Sequence, residues 1–306
     1  MIVAAGLTPA WQQILLFDQF RPGEVNRARE AHWCASGKVL NVGIALRHLG
    51  ADSSLVALIG GPPKAQIDLE CERLGVRTHW VAAAAPTRVC TTILDAATGR
   101  TTELVENAGP VTDGELRSFR ETFNNAVSAA DVVVLTGSLP AGAPATFYRD
   151  LLTATSARAV LDARGPELLA ALEEGPFLVK PNREELGLTF GRPVDLEVEL
   201  RAAMNELNER GATWVVVTQG KQPVWISSAG RFYSIQPPTV RVVNPIGCGD
   251  CLAAGLAAAL SRGQHPLEAV RHGIAAAAEN ARHLLPGRID PLGVAASARG
   301  LTPLDV

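Results

Sequence analysis

Asn244-Pro245-Ile246-Gly247-Cys248-Gly249-Asp250 runs straight into Cys251-Leu252-Ala253-Ala254-Gly255-Leu256, a stretch of small apolar residues that Gly263 can end. The glycines let the backbone turn sharply and point several N–H groups one way, and a helix N-terminus adds partial positive charge. The turn Gly247-Cys248-Gly249 therefore reads as an anion hole, with Asp250 beside it in the first helical turn. A carboxylate there can take the proton of a hydroxyl that attacks phosphorus. An ordinary helix start has the same pattern, so the surrounding motifs must decide.

Lys180-Pro181-Asn182-Arg183-Glu184-Glu185-Leu186 follows an apolar run. Asn182 and Glu185 lie three apart and share one face if a helix begins there, so they could hold Mg²⁺ through water. An N-cap Asn with a first-turn Glu reads equally well. Thr218-Gln219-Gly220 ends another strand pattern, where a nucleotide could lie, or is a plain turn. Ser36-Gly37-Lys38-Val39-Leu40-Asn41 places glycine ahead of a helix with Lys38 in its first turn, a second anion site. It is not a Walker A loop, because position 32 is His and Val39 follows the Lys.

Outward from these motifs, short apolar runs alternate with helical patterns. Strands are expected at Ile2–Gly6, Leu55–Ile59, Val132–Leu135, Ala159–Leu161, Leu178–Lys180 and Trp214–Thr218. Helices are expected at Lys38–Leu49, Asp113–Ala129, Asp195–Arg210 and Pro266–Leu284. Continuous apolar strands alternating with helices predict an α/β fold, with a mainly parallel central sheet covered by helices on both faces. Two stretches break the rhythm, at about 10–34 and 86–107, the second with the turn Ala97-Thr98-Gly99-Arg100 between Thr- and Val-rich runs. Paired together, they would form a small β-sheet lid at the C-terminal edge of the main sheet. No repeat or linker divides the chain, so residues 1–306 read as one domain.

Composition bounds the rest. Of 306 residues, 47% are hydrophobic and 19% charged, enough for a large core. The net charge of −3 provides no global attraction to nucleic acid or membrane. The N-terminus reads as a first strand rather than a leader, no apolar run is long enough for a bilayer, and five scattered cysteines fit a reducing, cytoplasmic setting. Cys248 and Cys251 match C-x-x-C, but no second pair or His cluster completes a metal or redox site. Helix N-termini lower thiol pKa values, so Cys248 is expected to be sensitive to oxidation.

Together these motifs resemble the ribokinase-like carbohydrate kinases, the PfkB family, over nearly the whole chain. Arg21-Pro-Gly-Glu-Val-Asn-Arg27, Thr87-Arg88, Gly137-Ser138-Leu139-Pro140 and Asn244 resemble its 1-phosphofructokinase branch. The resemblance implies ATP, Mg²⁺ and a phosphorylated hexose, with Asp250 as base and residues 247–249 as anion hole. It implies Gly37, Lys38, Asn41, Arg88 and Ser138 at the sugar phosphate. Lys180, Asn182, Thr218, Gly220 and Asn280 would lie near the nucleotide, Asp162 near sugar or phosphates, and Asn182 and Glu185 near the metal. A homodimer through the lid is in keeping with it. The chain departs from the pattern where Gln12 replaces a sugar-binding carboxylate and Val39 replaces a glycine, narrowing the space near the ligand. Fructose 1-phosphate, fructose 6-phosphate and tagatose 6-phosphate stay open as acceptors. The rival from another class is a sugar-phosphate-binding sensor on the same fold. A dehydrogenase is disfavoured, since no Gly-x-Gly-x-x-Gly follows the first strand.

Overall fold

The computed structural model describes residues 1–306. In chain order the strands are β1 (Ile2–Gly6), β2 (Ala10–Phe17), β3 (Glu30–Ser36), β4 (Ser53–Ile59), β5 (Arg77–Ala82), β6 (Arg88–Asp95), β7 (Arg100–Val105), β8 (Val132–Thr136), β9 (Arg158–Asp162), β10 (Leu178–Val179), β11 (Trp214–Val217), β12 (Val224–Ser228), β13 (Arg231–Ile235) and β14 (Leu304–Asp305). The helices are α1 (Lys38–His48), α2 (Pro63–Leu74), α3 (Asp113–Val127), α4 (Phe147–Leu152), α5 (Gly165–Ala171), α6 (Arg183–Phe190), α7 (Glu197–Glu209), α8 (Cys248–Ser261), α9 (Pro266–Ala281) and α10 (Pro291–Arg299).

One large sheet has the order β14-β13-β12-β11-β10-β9-β8-β1-β4-β5. Strands β11 through β5 in that order are all parallel, and β12, β13 and β14 extend the edge antiparallel. Alternate residues of one strand enter different cores. Ile2 and Ala4 of β1 join one cluster with α1, α8, α9 and α10, while Val3 and Ala5 join the other with α3, α4, α5 and α7. Both faces are therefore covered, as continuous apolar strands require.

The small-residue character of α8 has a packing cause. A Cβ on Gly255 would lie 2.7 Å from His272 O and 2.9 Å from Ala276 Cβ, and one on Gly273 would lie 2.7 Å from Leu252 O. Helices α8 and α9 touch backbone to backbone, which fixes where the N-terminus of α8 sits.

The second sheet has the order β3-β2-β6-β7. Strand β2 pairs antiparallel with β3 and parallel with β6, and β6 pairs antiparallel with β7, so the two inserted stretches do meet in one sheet. The turn before β7 is held by Asp95, whose carboxylate accepts from Ala97 N and Thr98 Oγ1.

Candidate active site

Parallel strands all deliver their C-terminal ends to one edge. There β1 leads to Thr8, β8 ends at Thr136, β9 ends at Asp162, and β10 leads to Lys180. Facing them are the N-termini of α1 and α8, both entered through left-handed glycines: Gly37 at φ 86° and Gly247 at φ 84°. A Cβ on Gly37 would lie 2.8 Å from Ala10 N, and one on Gly247 would lie 2.9 Å from Pro286 Cβ. Backbone conformation and close approach both demand glycine at these positions.

The turn at Gly247 leaves part of its backbone donors free. Cys248 N and Cys251 N donate to Pro245 O and Gly247 O, and Ile246 N donates to Asn244 Oδ1. The N–H groups of Gly247, Gly249 and Asp250 have no acceptor in the protein. The Cβ position of Gly249 lies 3.5 Å from Lys180 Nζ, so a buried ammonium stands beside those free donors.

Asp250 is buried, and one oxygen accepts from Asn41 Nδ2 at 2.7 Å. Asn41 is itself oriented by Ser36, whose Oγ donates to Asn41 Oδ1 at 3.0 Å. Burial pushes the Asp250 pKa up from 3.8 to about 6. The charges of Lys38 and Lys180 and the Asn41 hydrogen bond pull against that rise, while Asp162 adds to it.

Two lysines converge on Asp162. Lys38 Nζ and Lys180 Nζ each lie 3.3 Å from Asp162 Oδ1, and Thr136 Oγ1 donates to Asp162 Oδ2. Burial alone would raise Asp162, but the two ammonium groups outweigh it and hold the carboxyl below its ordinary value. Lys38 also lies 3.6 Å from Glu185 Oε1. Lys38 therefore sits between Asp162 and Glu185. No contact joins it to Arg88, with which the resemblance grouped it.

Arg88 belongs to a second cluster. Its Nη2 donates to Thr8 O at 3.2 Å, and Thr8 Oγ1 donates to Ser138 O at 3.2 Å, so Thr8 bridges the start of β6 and the Ser138 loop. Arg88 Nε is buried with no partner, beside a small cavity lined by Thr8, Pro9, Thr87, Gly109 and Pro140. An orphaned guanidinium N–H next to free space suits an anion. Gln12 lies on the small sheet, buried, its Nε2 donating to Thr92 Oγ1 at 2.7 Å. Thr218 forms a bridge to Asn182 at the ends of β11 and β10, and exposed Gly220 follows at φ 54°.

The hydrogen bonds choose between readings that the sequence left open. Asn182 and Glu185 form a reciprocal capping box: Asn182 Oδ1 accepts from Glu185 N at 2.7 Å, and Glu185 Oε2 accepts from Asn182 N at 2.9 Å. The N-cap reading therefore holds, and Glu185 Oε1, 3.6 Å from Lys38 Nζ, lies outside the cap. No group of three His, Cys, Asp or Glu side chains could enclose a metal. A Mg²⁺ carried by nucleotide phosphates needs no such cage, and Glu185 Oε1 suits it through water.

Asn280 is buried, and both ends of its amide are engaged inside the protein. Its Nδ2 donates to Ile246 O at 2.8 Å and contacts Cys248 Sγ, while its Oδ1 accepts from Gly287 N at 2.9 Å and from Cys251 Sγ. It braces the turn that carries the free N–H groups. Val39 is buried and packs in the core cluster that includes Ile2 and Ala4 of β1. Burial raises the Cys248 thiol, the opposite of the helix-end effect expected for it, so oxidation sensitivity has no support. Sequence reasoning missed Thr8 and Thr136, which are neutral residues at strand ends with no motif of their own.

A family model described as pfkB family carbohydrate kinase matches residues 2–288. Among solved structures, Escherichia coli phosphofructokinase-2 in complex with fructose-6-phosphate aligns at TM-score 0.87 and 26% identity, covering 97% of this chain and 99% of that one. A Thermotoga maritima protein described as a possible 1-phosphofructokinase aligns at TM-score 0.91 and 20% identity, covering 100% and 99%. Thermotoga maritima ribokinase aligns at 0.79 and 23%, covering 98% and 99%. The latter two show the fold alone. With an intact two-glycine turn, a buried carboxylate behind it and a family match across nearly its whole length, the chain belongs to the pfkB family of carbohydrate kinases.

Proposed function

We propose that this kinase transfers the γ-phosphoryl group of ATP to a hydroxyl of a phosphorylated hexose, with Asp250 as the general base. The observation that carries the reading is the Asp250 carboxylate, buried, held by Asn41 and set beside three unsatisfied N–H groups and Lys180. Asp250 accepts the hydroxyl proton as the oxygen bonds to the γ-phosphorus and the bond from that phosphorus to the β,γ-bridging oxygen breaks, releasing ADP. The free N–H groups of Gly247, Gly249 and Asp250, with Lys180, face the charge that develops. Mg²⁺ bound with the nucleotide would neutralise phosphate charge, and Glu185 would orient it through water. Thr218 and Gly220 mark the nucleotide side, and the small sheet acts as the lid.

A base with a pKa of about 6 predicts the pH profile. The ionised carboxylate is the active form, so kcat/KM should rise with pH and reach half its plateau near pH 6. A profile flat from pH 5 to pH 8 would remove Asp250 from the role.

Fructose 1-phosphate is the proposed acceptor, ahead of fructose 6-phosphate and tagatose 6-phosphate. The orphaned Arg88 Nε supports a resident phosphate on the acceptor. A panel of sugars and sugar phosphates with Mg-ATP tests this. Arg88→Ala should raise KM for the sugar phosphate by about 10–100-fold while KM for ATP stays within about threefold. Equal losses for both substrates would place Arg88 elsewhere. A homodimer through the small sheet is proposed on its exposed apolar side chains, Trp33, Leu104 and Val105. Light scattering of the wild type and Trp33→Glu checks it, and a monomeric wild type would reject it.

A further inference from the structure

The chain leaves the small sheet for the main body at Ala35-Ser36-Gly37, directly before α1. Both backbone groups of Ala35 are held by side chains of the body. Ala35 N donates to Glu70 Oε2 at 2.5 Å, and Ala35 O accepts from Arg288 Nη1 at 3.2 Å. Glu70 and Arg288 are in turn ion-paired, with side chains only 22% and 13% exposed. A carboxylate on α2 and a guanidinium beyond α9 thus close on one peptide unit at the foot of the small sheet.

The other end of this connection reaches the anion hole. Arg288 Nη1 also donates to Pro286 O. Pro286 packs against Gly247, so closely that a Cβ there would lie 2.9 Å from Pro286 Cβ. Gly287 N donates to Asn280 Oδ1, and Asn280 Nδ2 holds Ile246 O. A Cβ on Gly287 would lie 3.0 Å from Asn41 O, and Asn41 is the residue that holds Asp250. The segment Pro286-Gly287 is a wedge between the partner of the base and the turn that carries the free N–H groups.

We infer that Arg288 and Glu70 are positioning residues that lock the foot of the small sheet to the wedge behind the anion hole. Neither touches the reacting atoms. A guanidinium is suited to this because its planar fork reaches a carboxylate and two carbonyls in fixed directions, whereas an ammonium offers its three donors from a single nitrogen on a flexible stem. The strut ties two arrangements together: the seating of the small sheet over an acceptor and the placement of the N–H donors. Loss of the strut loosens donors needed in the transition state more than contacts made in the ground state.

The inference rests on the proposed phosphoryl transfer, and the experiment separates the two. The full-length wild type is first assayed with the sugar-phosphate panel and Mg-ATP; absence of any turnover would defeat the functional reading itself. With the acceptor so identified, Arg288→Lys and Glu70→Gln are compared with the wild type, each scaled to its folded fraction from circular dichroism. Each should lower kcat by about 10–100-fold with both KM values within about threefold. The double variant should lose no more than the worse single one, because the pair acts as a unit. Full kcat per folded molecule in Arg288→Lys or in Glu70→Gln would overturn the inference. Losses that multiply in the double variant would do the same.

Discussion

Asp250→Asn should lower kcat by about 10³–10⁴-fold while the nucleotide still binds with an affinity within about threefold of the wild type. Asn keeps the size of the side chain, and its Oδ1 can still accept from Asn41 Nδ2, which reaches Asp250 at 2.7 Å. What is removed is only the ability to take a proton. The same substitution should stabilise the fold. The folded carboxyl titrates near 6 instead of 3.8, so ionising it in the native state costs about 3 kcal/mol. The folded state keeps its proton between those values and the unfolded chain does not. The contribution of this carboxyl to wild-type stability therefore falls as pH rises from about 4 to above 6. The gain in Asp250→Asn should approach that cost at pH 8 and vanish below pH 4, as read by denaturant unfolding. Near-normal turnover in this variant would sink the assignment of the base, and an unchanged stability at pH 8 would contradict the burial argument.

Lys180→Met is expected to have the next largest effect, about 10²–10³-fold on kcat. Lys180 is 3% exposed, stands over the free N–H groups beside Gly249, and pairs with Asp162 at 3.3 Å. Methionine has similar length and no charge, so the loss is electrostatic rather than a cavity. Asp162 would keep Lys38 and Thr136 but lose its strongest opposing charge. Breaking a buried pair on one side costs about 3 kcal/mol, and the remaining lysine trims that figure. Because Asp162 lies below its ordinary value in the fold, its contribution is present at neutral pH and lost as pH falls below about 4. The destabilisation of Lys180→Met should shrink accordingly in acid. Turnover within about threefold of the wild type would show that the free N–H groups suffice without the ammonium.

Much of the main sheet was legible because its strands are buried on both faces. Val132–Leu135 and Trp214–Thr218 have no polar alternation to confuse with a surface strand, and both became parallel strands. The antiparallel edge was not legible. β12 and β13 turn at Ala229-Gly230, with Ala229 itself at φ 49°, and alanine in a left-handed turn is no hairpin signal. Strand β5 was not among the expected strands either: Arg77 and His79 interrupt its apolar residues, and pairing with β4 makes the segment a strand. At the site, the local motifs were visible while their partners were not. Asn41 and Asp250 are separated by 209 positions, and Lys38 and Asp162 by 124, so no window of sequence contains either contact.

Gly247 to Asp250 was decided by sequence, because a left-handed glycine followed by a helix start is a local backbone requirement. The same locality let Asn182 and Glu185 be read two ways, and only the observed hydrogen bonds showed a cap that uses the Asn182 side chain. The Asn280 amide likewise looked available until the fold brought Ile246, Cys248, Cys251 and Gly287 around it. Tertiary structure alone raised Asp250 toward 6 and set two lysines on Asp162, because burial and charge proximity arise from strand order rather than from neighbours in the chain.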